Sequence, residues 1–236
     1  MCVVIWQLLT DRPDQRKWLS ERLASERAER EAIRTYSLGQ TFYNLKVWLL
    51  AVAYIGQNMV AYALGFFMPL IVQGLGASTG MIGVVAALTY VFVVLFMNYY
   101  GWHSDLTGER LWHLSGAYLL SAAGLVACVF IGHGHPVLTM IALTLALAGC
   151  QAINPIIWAL PSAMLTGAAA AAGLAMINAT GNLGGLIGPW VYGVVKDASG
   201  SDNTASLVLA LGPVIAVILL QFVGHDRRLE RLPPRA

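Results

Sequence analysis

Residues 168–195 read AAAAAGLAMINATGNLGGLIGPWVYGVV, an apolar run without Asp, Glu, Lys or Arg that still contains two asparagines and a proline. About 20 helical residues cross the hydrocarbon core of a bilayer, so the run is long enough to span it. Polar side chains inside such a run must contact protein or a water-filled cavity, because lipid offers them no partner. The stretch therefore predicts a membrane helix that packs closely against a neighbour.

Five further apolar stretches of similar length accompany this one. The 236 residues are 58% hydrophobic and 11% charged, which is too little polar surface for a water-soluble globule. The ten-residue alternation typical of barrel strands is not visible. The sequence thus predicts an all-α membrane protein whose transmembrane bundle covers 47–225, with spans at approximately 47–73, 80–101, 114–132, 137–164, 168–195 and 205–224.

The segments outside the bundle carry most of the charge. Residues 1–10 are apolar but too short to span, and we expect them to be the tail end of a truncated transmembrane helix. Residues 11–46 are expected to form a cytoplasmic helix capped by Ser20, and 226–236 a cytoplasmic tail. Every basic residue except Lys196 lies on the side of the termini, so both termini and the connection at Asp105 are predicted to be cytoplasmic.

Motifs for chemistry are absent from the sequence. The three cysteines have neither disulfide nor metal spacing, and His133 with His135 lacks a third ligand. No carboxylate pair, Ser/His/Asp set, phosphate-binding loop or dinucleotide fingerprint is suitably placed. We therefore expect no metal, no cofactor, no nucleic-acid partner and no enzymatic activity.

Polar residues cluster inside the first and fourth predicted spans. In the first span they lie near the midpoint, and in the fourth they follow one another at i, i+3 and i+7 beside Pro155 and Pro161. Interrupted helices near the membrane centre are favoured binding places in transporters. Either core packing with satisfied amides or contact with a substrate explains these residues: Gln57, Asn58 and Tyr62, then Gln151, Asn154 and Trp158.

The fifth span combines amides with closely spaced glycines. Asn178 and Asn182 are four residues apart and project from one face, where hydrogen bonds between helices and contact with a substrate both remain open. Two small-xxx-small pairs let another helix backbone approach closely. We expect these pairs to mediate helix packing: Gly181 with Gly185, and Gly184 with Gly188.

Three stretches of the sequence resemble parts of one family of transporters. DRPDQRKWLSERLASER (11–27) resembles the central cytoplasmic loop of the anion:cation symporter branch of the major facilitator superfamily. GWHSDLTGERLWH (101–113) resembles the signature G-x-x-x-D-x-x-G-x-R of the superfamily, although Leu106 replaces the usual basic residue. Residues 155–201 look like the tenth and eleventh spans of that branch. The resemblance covers the chain but only the carboxyl half of a family member.

The resemblance implies roles for individual residues. An eleventh-span asparagine and a tenth-span aromatic residue contact the substrate in the branch, and Asn178 and Trp158 occupy the matching positions, with Asn182 one turn deeper. The first span resembles the cavity-lining seventh span. The candidate substrate-binding residues are thus Gln57, Asn58, Tyr62, Asn154, Trp158, Asn178 and Asn182. A gating loop that stabilises one transport conformation is expected at Gly101, Asp105, Gly108 and Arg110, with an ordinary charged hairpin as the alternative.

The function implied by the resemblance is proton-coupled transport of a small organic anion, such as a sugar acid or other carboxylate, across the bacterial inner membrane. The predicted spans contain no charged side chain to bind an anion or carry a proton, so we expect an N-terminal half to supply these groups. Two alternatives remain open at this point. Either the chain is a truncated, non-transporting membrane remnant, or it is a helical partner that needs a separate N-terminal half.

Overall fold

The computed structural model describes residues 21, 24–25, 38–74, 76, 78–132, 134–165 and 167–224. No strand occurs in this part of the chain. The expectations for 1–10 and for the tail 226–236 lie outside it, as do Ser20 and most residues of the predicted cytoplasmic helix 11–46. The helices with described bounds are α1 Leu38–Phe42, α2 Leu45–Gly74, α3 Thr79–Thr107, α4 Arg110–Ile131, α5 Pro136–Ala152, α6 Asn154–Ile157, α7 Ala159–Met164, α8 Gly167–Gly181, α9 Leu183–Ser199 and α10 Asp202–Val223.

Six helical stretches in the described residues are long and apolar enough to cross a membrane. The prediction of an all-α protein with six membrane helices is therefore confirmed. Two spans are interrupted: the fourth combines α5 with shorter helices, and the fifth combines α8 and α9. The spans are Leu45–Gly74, Gly80–Thr107, Arg110–Ile131, Pro136–Pro161, Gly167–Ser199 and Asp202–Val223.

The connection between α3 and α4 is shorter than the sequence suggested. α3 continues to Thr107, so Gly101, predicted to lie in the loop after the second span, is instead a buried helical residue. The apolar run marks where lipid ends, but a helix continues past that boundary as long as its backbone hydrogen bonds are made. The turn lies at Gly108, whose φ of 68° is left-handed and whose N–H donates to Ser104 O.

α2 packs against α8, α9 and α10, and glycines bring the backbones of these helices into contact. A methyl group at Gly184 or Gly188 of α9 would overlap the carbonyl oxygens of Ile55 and Met59. Between α2 and α10, a Cβ at Gly56 would lie 2.6 Å from the carbonyl oxygen of Gly212. These approaches are possible only without side chains, which is how small residues allow helices to pack in lipid.

The other glycine pair of the fifth span, Gly181 with Gly185, faces aromatic rings of α2. Gly181 lies against the ring of Tyr54, and a Cβ at Gly185 would be 3.1 Å from Tyr62 Cδ2. On the other side of the bundle, the Tyr118 hydroxyl of α4 donates to Ala53 O at 2.7 Å. α2 is thus held on both sides, which fixes the position of the polar residues at its centre.

Candidate functional site

A cavity of about 440 Å³ lies between α2 and the interrupted fourth span. It brings together four of the predicted binding residues, namely Gln57, Asn58, Tyr62 and Asn154. Gln151, from the predicted polar stripe of the fourth span, also lines it. All nine lining residues are uncharged, and the remaining ones are Tyr54, Ala61, Gly65 and Phe66. The cavity therefore offers amide and phenol groups between apolar walls.

The α2 wall of the cavity carries two nearly buried amides. Gln57 is 2% exposed and Asn58 is 5% exposed. Among the described residues Gln57 Oε1 has no hydrogen-bond partner, and Asn58 Nδ2 makes no hydrogen bond of normal geometry, although the Asn58 side chain interacts with the Tyr54 hydroxyl. A buried polar atom without a partner costs about 1–3 kcal/mol. The wall thus holds one acceptor and one donor whose bonding capacity is unused.

The wall of the fourth span lies where the helix is interrupted. α5 ends at Ala152, and α6 begins at Asn154. Pro155 has no N–H to donate to the carbonyl of Gln151, and this missing bond separates the two helices. The backbone of Ile153 nevertheless keeps a helical φ of −67° and ψ of −36°. The interruption therefore changes the hydrogen bonding without turning the chain away.

Long hydrogen bonds connect the polar groups across the cavity. The Tyr54 hydroxyl donates to Asn154 Oδ1 at 3.5 Å, and Asn154 Nδ2 donates to Gln151 Oε1 at 3.4 Å. Hydrogen bonds of this length are weak, so their amide groups can exchange partners at little cost. The carbonyl oxygen of Gln57 accepts from Cys150 Sγ at 3.2 Å, which joins α2 to α5 beside the cavity.

Trp158 does not line the cavity but packs behind it. Its ring meets Tyr54 edge to face, with centroids 5.1 Å apart and an interplanar angle of 74°. Tyr54 was not among the residues predicted from the sequence. Its position four residues before Asn58 places it on the same helix face, and this spacing is the signal that could have identified it.

Asn178 and Asn182 also lie outside the cavity lining. Asn182 Nδ2 donates to both Asn178 O and Asn178 Oδ1 at 2.9 Å, and both side chains are exposed. Asn182 separates α8 from α9 and bonds back along its own helix. The two amides therefore partner each other in this structure, while Gly181 between them packs on Tyr54 of the cavity wall.

The hairpin between α3 and α4 holds the predicted charges. Arg110 Nη2 lies 3.1 Å from Asp105 Oδ1, and the Arg110 side chain is 7% exposed while that of Asp105 is 52% exposed. Ser104 Oγ donates to Glu109 O at 3.3 Å across the same turn. His103 Nδ1 and His113 Nε2 are 2.8 Å apart, which adds a contact between the two helices. The hairpin is thus closed by several polar interactions.

Metal ligation finds no support among the residues that the structure describes. These residues include no group of three or more His, Cys, Asp or Glu side chains able to hold a metal ion. His133, one member of the predicted histidine pair, lies outside them.

The sequence of residues 47–235 matches the family model described as Major Facilitator Superfamily. The chain belongs to the Major Facilitator Superfamily. It is accordingly a multi-pass membrane protein, and the six helices of its described residues that are long and apolar enough to cross a membrane agree with that membership.

Two relatives show which kinds of superfamily member this chain is similar to. A protein of Agrobacterium vitis with the name "Putative tartrate transporter" is 36% identical over 242 residues, which cover 99% of this chain and 52% of that protein. "Inner membrane transport protein RhmT" of Escherichia coli is 32% identical over 233 residues, covering 94% and 53%. The chain thus spans about half the length of the curated relatives it matches.

A solved structure supports the fold independently. The crystal structure of a variant of the Escherichia coli fucose:proton symporter aligns with a TM-score of 0.64 and 22% sequence identity. The alignment covers 80% of this chain and 46% of the symporter. This superfamily member therefore has the fold of about half of that transporter.

Proposed function

We propose that the chain forms the carboxyl-terminal half of a transporter for a small organic anion, and that the cavity between α2 and the fourth span is its part of the substrate site. The amide-lined cavity at the helix interruption is the observation that carries this proposal. The proposed substrate is a sugar acid or another hydroxylated carboxylate, in keeping with the tartrate named for a relative that is 36% identical. We propose transport rather than enzymatic catalysis as its activity.

The chemistry of the cavity suits hydroxyl groups. An amide offers both a donor and an acceptor without carrying charge, so it can bind hydroxyl groups and remain in an apolar environment when the site is empty. Gln57 Oε1 and Asn58 Nδ2 have unused bonding capacity, and both side chains belong to residues that line the cavity. Asn154 and Tyr54 are held by weak bonds that a substrate could replace.

The negative charge of the substrate requires a second source of groups. All nine residues around the cavity are uncharged, and a buried anion needs an Arg, a Lys or an equivalent partner. We propose that an amino-terminal half supplies this cation together with the group that carries the coupling proton. The exposed face of α3 gives such a half an apolar surface to contact, for example at Leu88 and Leu95, which are 65% and 67% exposed.

The other predicted residues fit around this core. Trp158 would position Tyr54 through their edge-to-face contact, and Asn178 and Asn182 would offer further amides from the neighbouring span. The Asp105–Arg110 pair would stabilise one conformation during alternating access, in which the two halves rock around a site at the membrane centre. We place the protein in the bacterial inner membrane with both termini in the cytoplasm, as the distribution of basic residues indicates.

The proposal is tested by uptake of radiolabelled tartrate into membrane vesicles. Vesicles with this chain alone, and vesicles that also contain an amino-terminal half taken from the Agrobacterium vitis relative, are compared. We expect uptake only when both halves are present, because the charged groups would otherwise be lacking. Gln57→Leu should abolish that uptake, since the substrate would lose an amide partner in the cavity.

The matched control is Asn203→Ala, which removes an amide from α10 outside the cavity lining and should leave uptake unchanged. Uptake that is absent with both halves, or equally strong after Gln57→Leu, contradicts the proposed function or the proposed site respectively. The first of these outcomes would favour the alternative of a non-transporting remnant.

A further inference from the structure

The α3 helix contacts the interrupted fourth span through a glycine without room for a side chain. A Cβ at Gly101 would lie 2.9 Å from Pro155 Cβ and 3.0 Å from Pro155 Cγ. The proline ring cannot rotate away as a flexible side chain would, because it is closed onto its own backbone. α3 therefore rests on α6 only because residue 101 is glycine.

On the side of Pro155, this contact lies next to the cavity. Pro155 follows Asn154, which lines the cavity and bonds to Tyr54 and Gln151. The carbonyl of Gln151 lacks its usual helical donor because Pro155 has no N–H. That carbonyl accepts from Ile153 N–H instead, outside the regular helical pattern. A helix interrupted in this way can shift more easily than an uninterrupted one, and such positions are where helices bend.

On the side of Gly101, the contact lies next to the hairpin between α3 and α4. Tyr100, next to Gly101, donates from its hydroxyl to His113 O at 3.0 Å. Further along α3, Ser104 bonds to Glu109 O at 3.3 Å, and Asp105 pairs with Arg110 at 3.1 Å. A displacement of α3 at Gly101 must therefore carry or break the bonds that close the hairpin.

We propose that Gly101 is a positioning residue that couples the cavity to the α3–α4 hairpin through its contact with Pro155. A shift of Asn154 on substrate binding is transmitted by the proline ring to α3, and from there to the Asp105–Arg110 pair. The role of the cavity in this proposal rests on the proposed function, but the contact itself can be tested without any substrate.

The test measures how fast N-ethylmaleimide labels a cysteine placed in the hairpin. Ser104→Cys puts the thiol at a position that is 0% exposed, in a Cys2→Ser background that keeps the buried Cys128 and Cys150. Gly101→Ala should raise the labelling rate about tenfold, because overpacking of a tight contact displaces the helices and opens the hairpin. Gly83→Ala is the matched control on α3, since a Cβ there meets nothing within 4 Å, and it should change nothing.

A second pair of variants separates this contact from general destabilisation. In a Pro155→Gly background the ring is gone, so adding Gly101→Ala should alter labelling less than about twofold. The proposal is overturned if Gly101→Ala labels no faster than Gly83→Ala, or if its effect is the same with and without the Pro155 ring.

Tartrate then tests the coupling in this chain assembled with the amino-terminal half of the Agrobacterium vitis relative, and its equilibrium binding to that assembly is measured separately. Binding that changes Cys labelling in the parent but leaves it unchanged in Gly101→Ala supports the coupling, whereas an equal change in both overturns it. Absence of tartrate binding to the parent assembled with that amino-terminal half contradicts the proposed function, while the ligand-free labelling rates still decide on the Gly101 contact.

Discussion

α2 and α3 are membrane helices of nearly equal length, with 30 and 29 residues, but they are packed very differently. In the most apolar part of α3 the mean hydropathy is 2.4 and 11% of the residues are buried. In that of α2 the mean hydropathy is 1.5 and 44% of the residues are buried. The more apolar helix is therefore the less buried one. In a bilayer, apolar composition determines whether a helix can enter lipid, and it provides no drive for one helix to leave lipid for another.

Close backbone contact distinguishes the two helices. Around α2, glycines of three helices remove the side chains that would keep backbones apart, notably at Gly56, Gly184 and Gly188. α3 also has glycines, but a Cβ at Gly80 or Gly83 would meet nothing within 4 Å among the described residues. Glycine thus permits packing without specifying it, and the partner helix determines which glycines are used.

The largest effect is expected where another helix approaches the backbone of α2 most closely. Gly188→Ala should lower the free energy of unfolding by about 3 kcal/mol, because the new methyl group overlaps the backbone of Met59, which cannot move aside alone. The measurement is thermal unfolding of the purified chain in detergent. Gly193→Ala on the same helix is the control, since its Cβ would make an ordinary 3.8 Å contact with Phe67. Equal stability of the two variants would show that α9 does not pack on α2 by backbone contact.

A smaller contrast is expected within α3 itself. Val93 is 2% exposed, whereas Leu95 is 67% exposed, although both are apolar and only two residues apart. Val93→Ala should cost about 1–2 kcal/mol through lost packing, and Leu95→Ala should cost less than about 0.5 kcal/mol when the chain is measured alone. Unfolding in detergent tests both variants. A larger loss for Leu95→Ala would mean that the exposed face of α3 is already covered in the isolated chain.

Contacts between helices separate what the sequence could predict from what it could not. The six spans follow from apolar length alone, since lipid forces each run to form a helix. The polar stripe at Gln151 and Asn154 was identified by helical spacing and the amides of α2 by their position near the midpoint of the span, and the structure brings both groups to one cavity. Neither signal reveals which helix faces meet. Tyr54 was missed although its spacing from Asn58 places it on the same face, and Asn178 and Asn182, which the resemblance assigned to the substrate site, bond to each other outside the cavity lining.

Gly101 shows the same limit most clearly. The signature G-x-x-x-D-x-x-G-x-R contains two glycines that look equivalent as turn residues, but only Gly108 adopts a left-handed φ. Gly101 stays helical and is required for space, because Pro155 of another span lies against it. Pro155 is more than fifty positions away in the sequence, so no local pattern could have connected the two residues.

The smallest effect is expected at the face of α2 that lines the cavity. Gln57→Leu removes an oxygen that is buried without a partner among the described residues and replaces it by an apolar group of similar size. We expect the free energy of unfolding to rise by about 1 kcal/mol, since replacement of an unsatisfied polar group is neutral or stabilising. Gln73→Leu on the same helix is the control; Gln73 is exposed, so its stability should not change. Thermal unfolding in detergent measures both, beside the loss of uptake expected for Gln57→Leu. A destabilised Gln57→Leu would mean that the amide is bonded in the folded chain and that its presence needs no substrate to explain it. A gain in stability with a loss of uptake would instead show that α2 keeps an unfavourable group at the cavity because transport requires it.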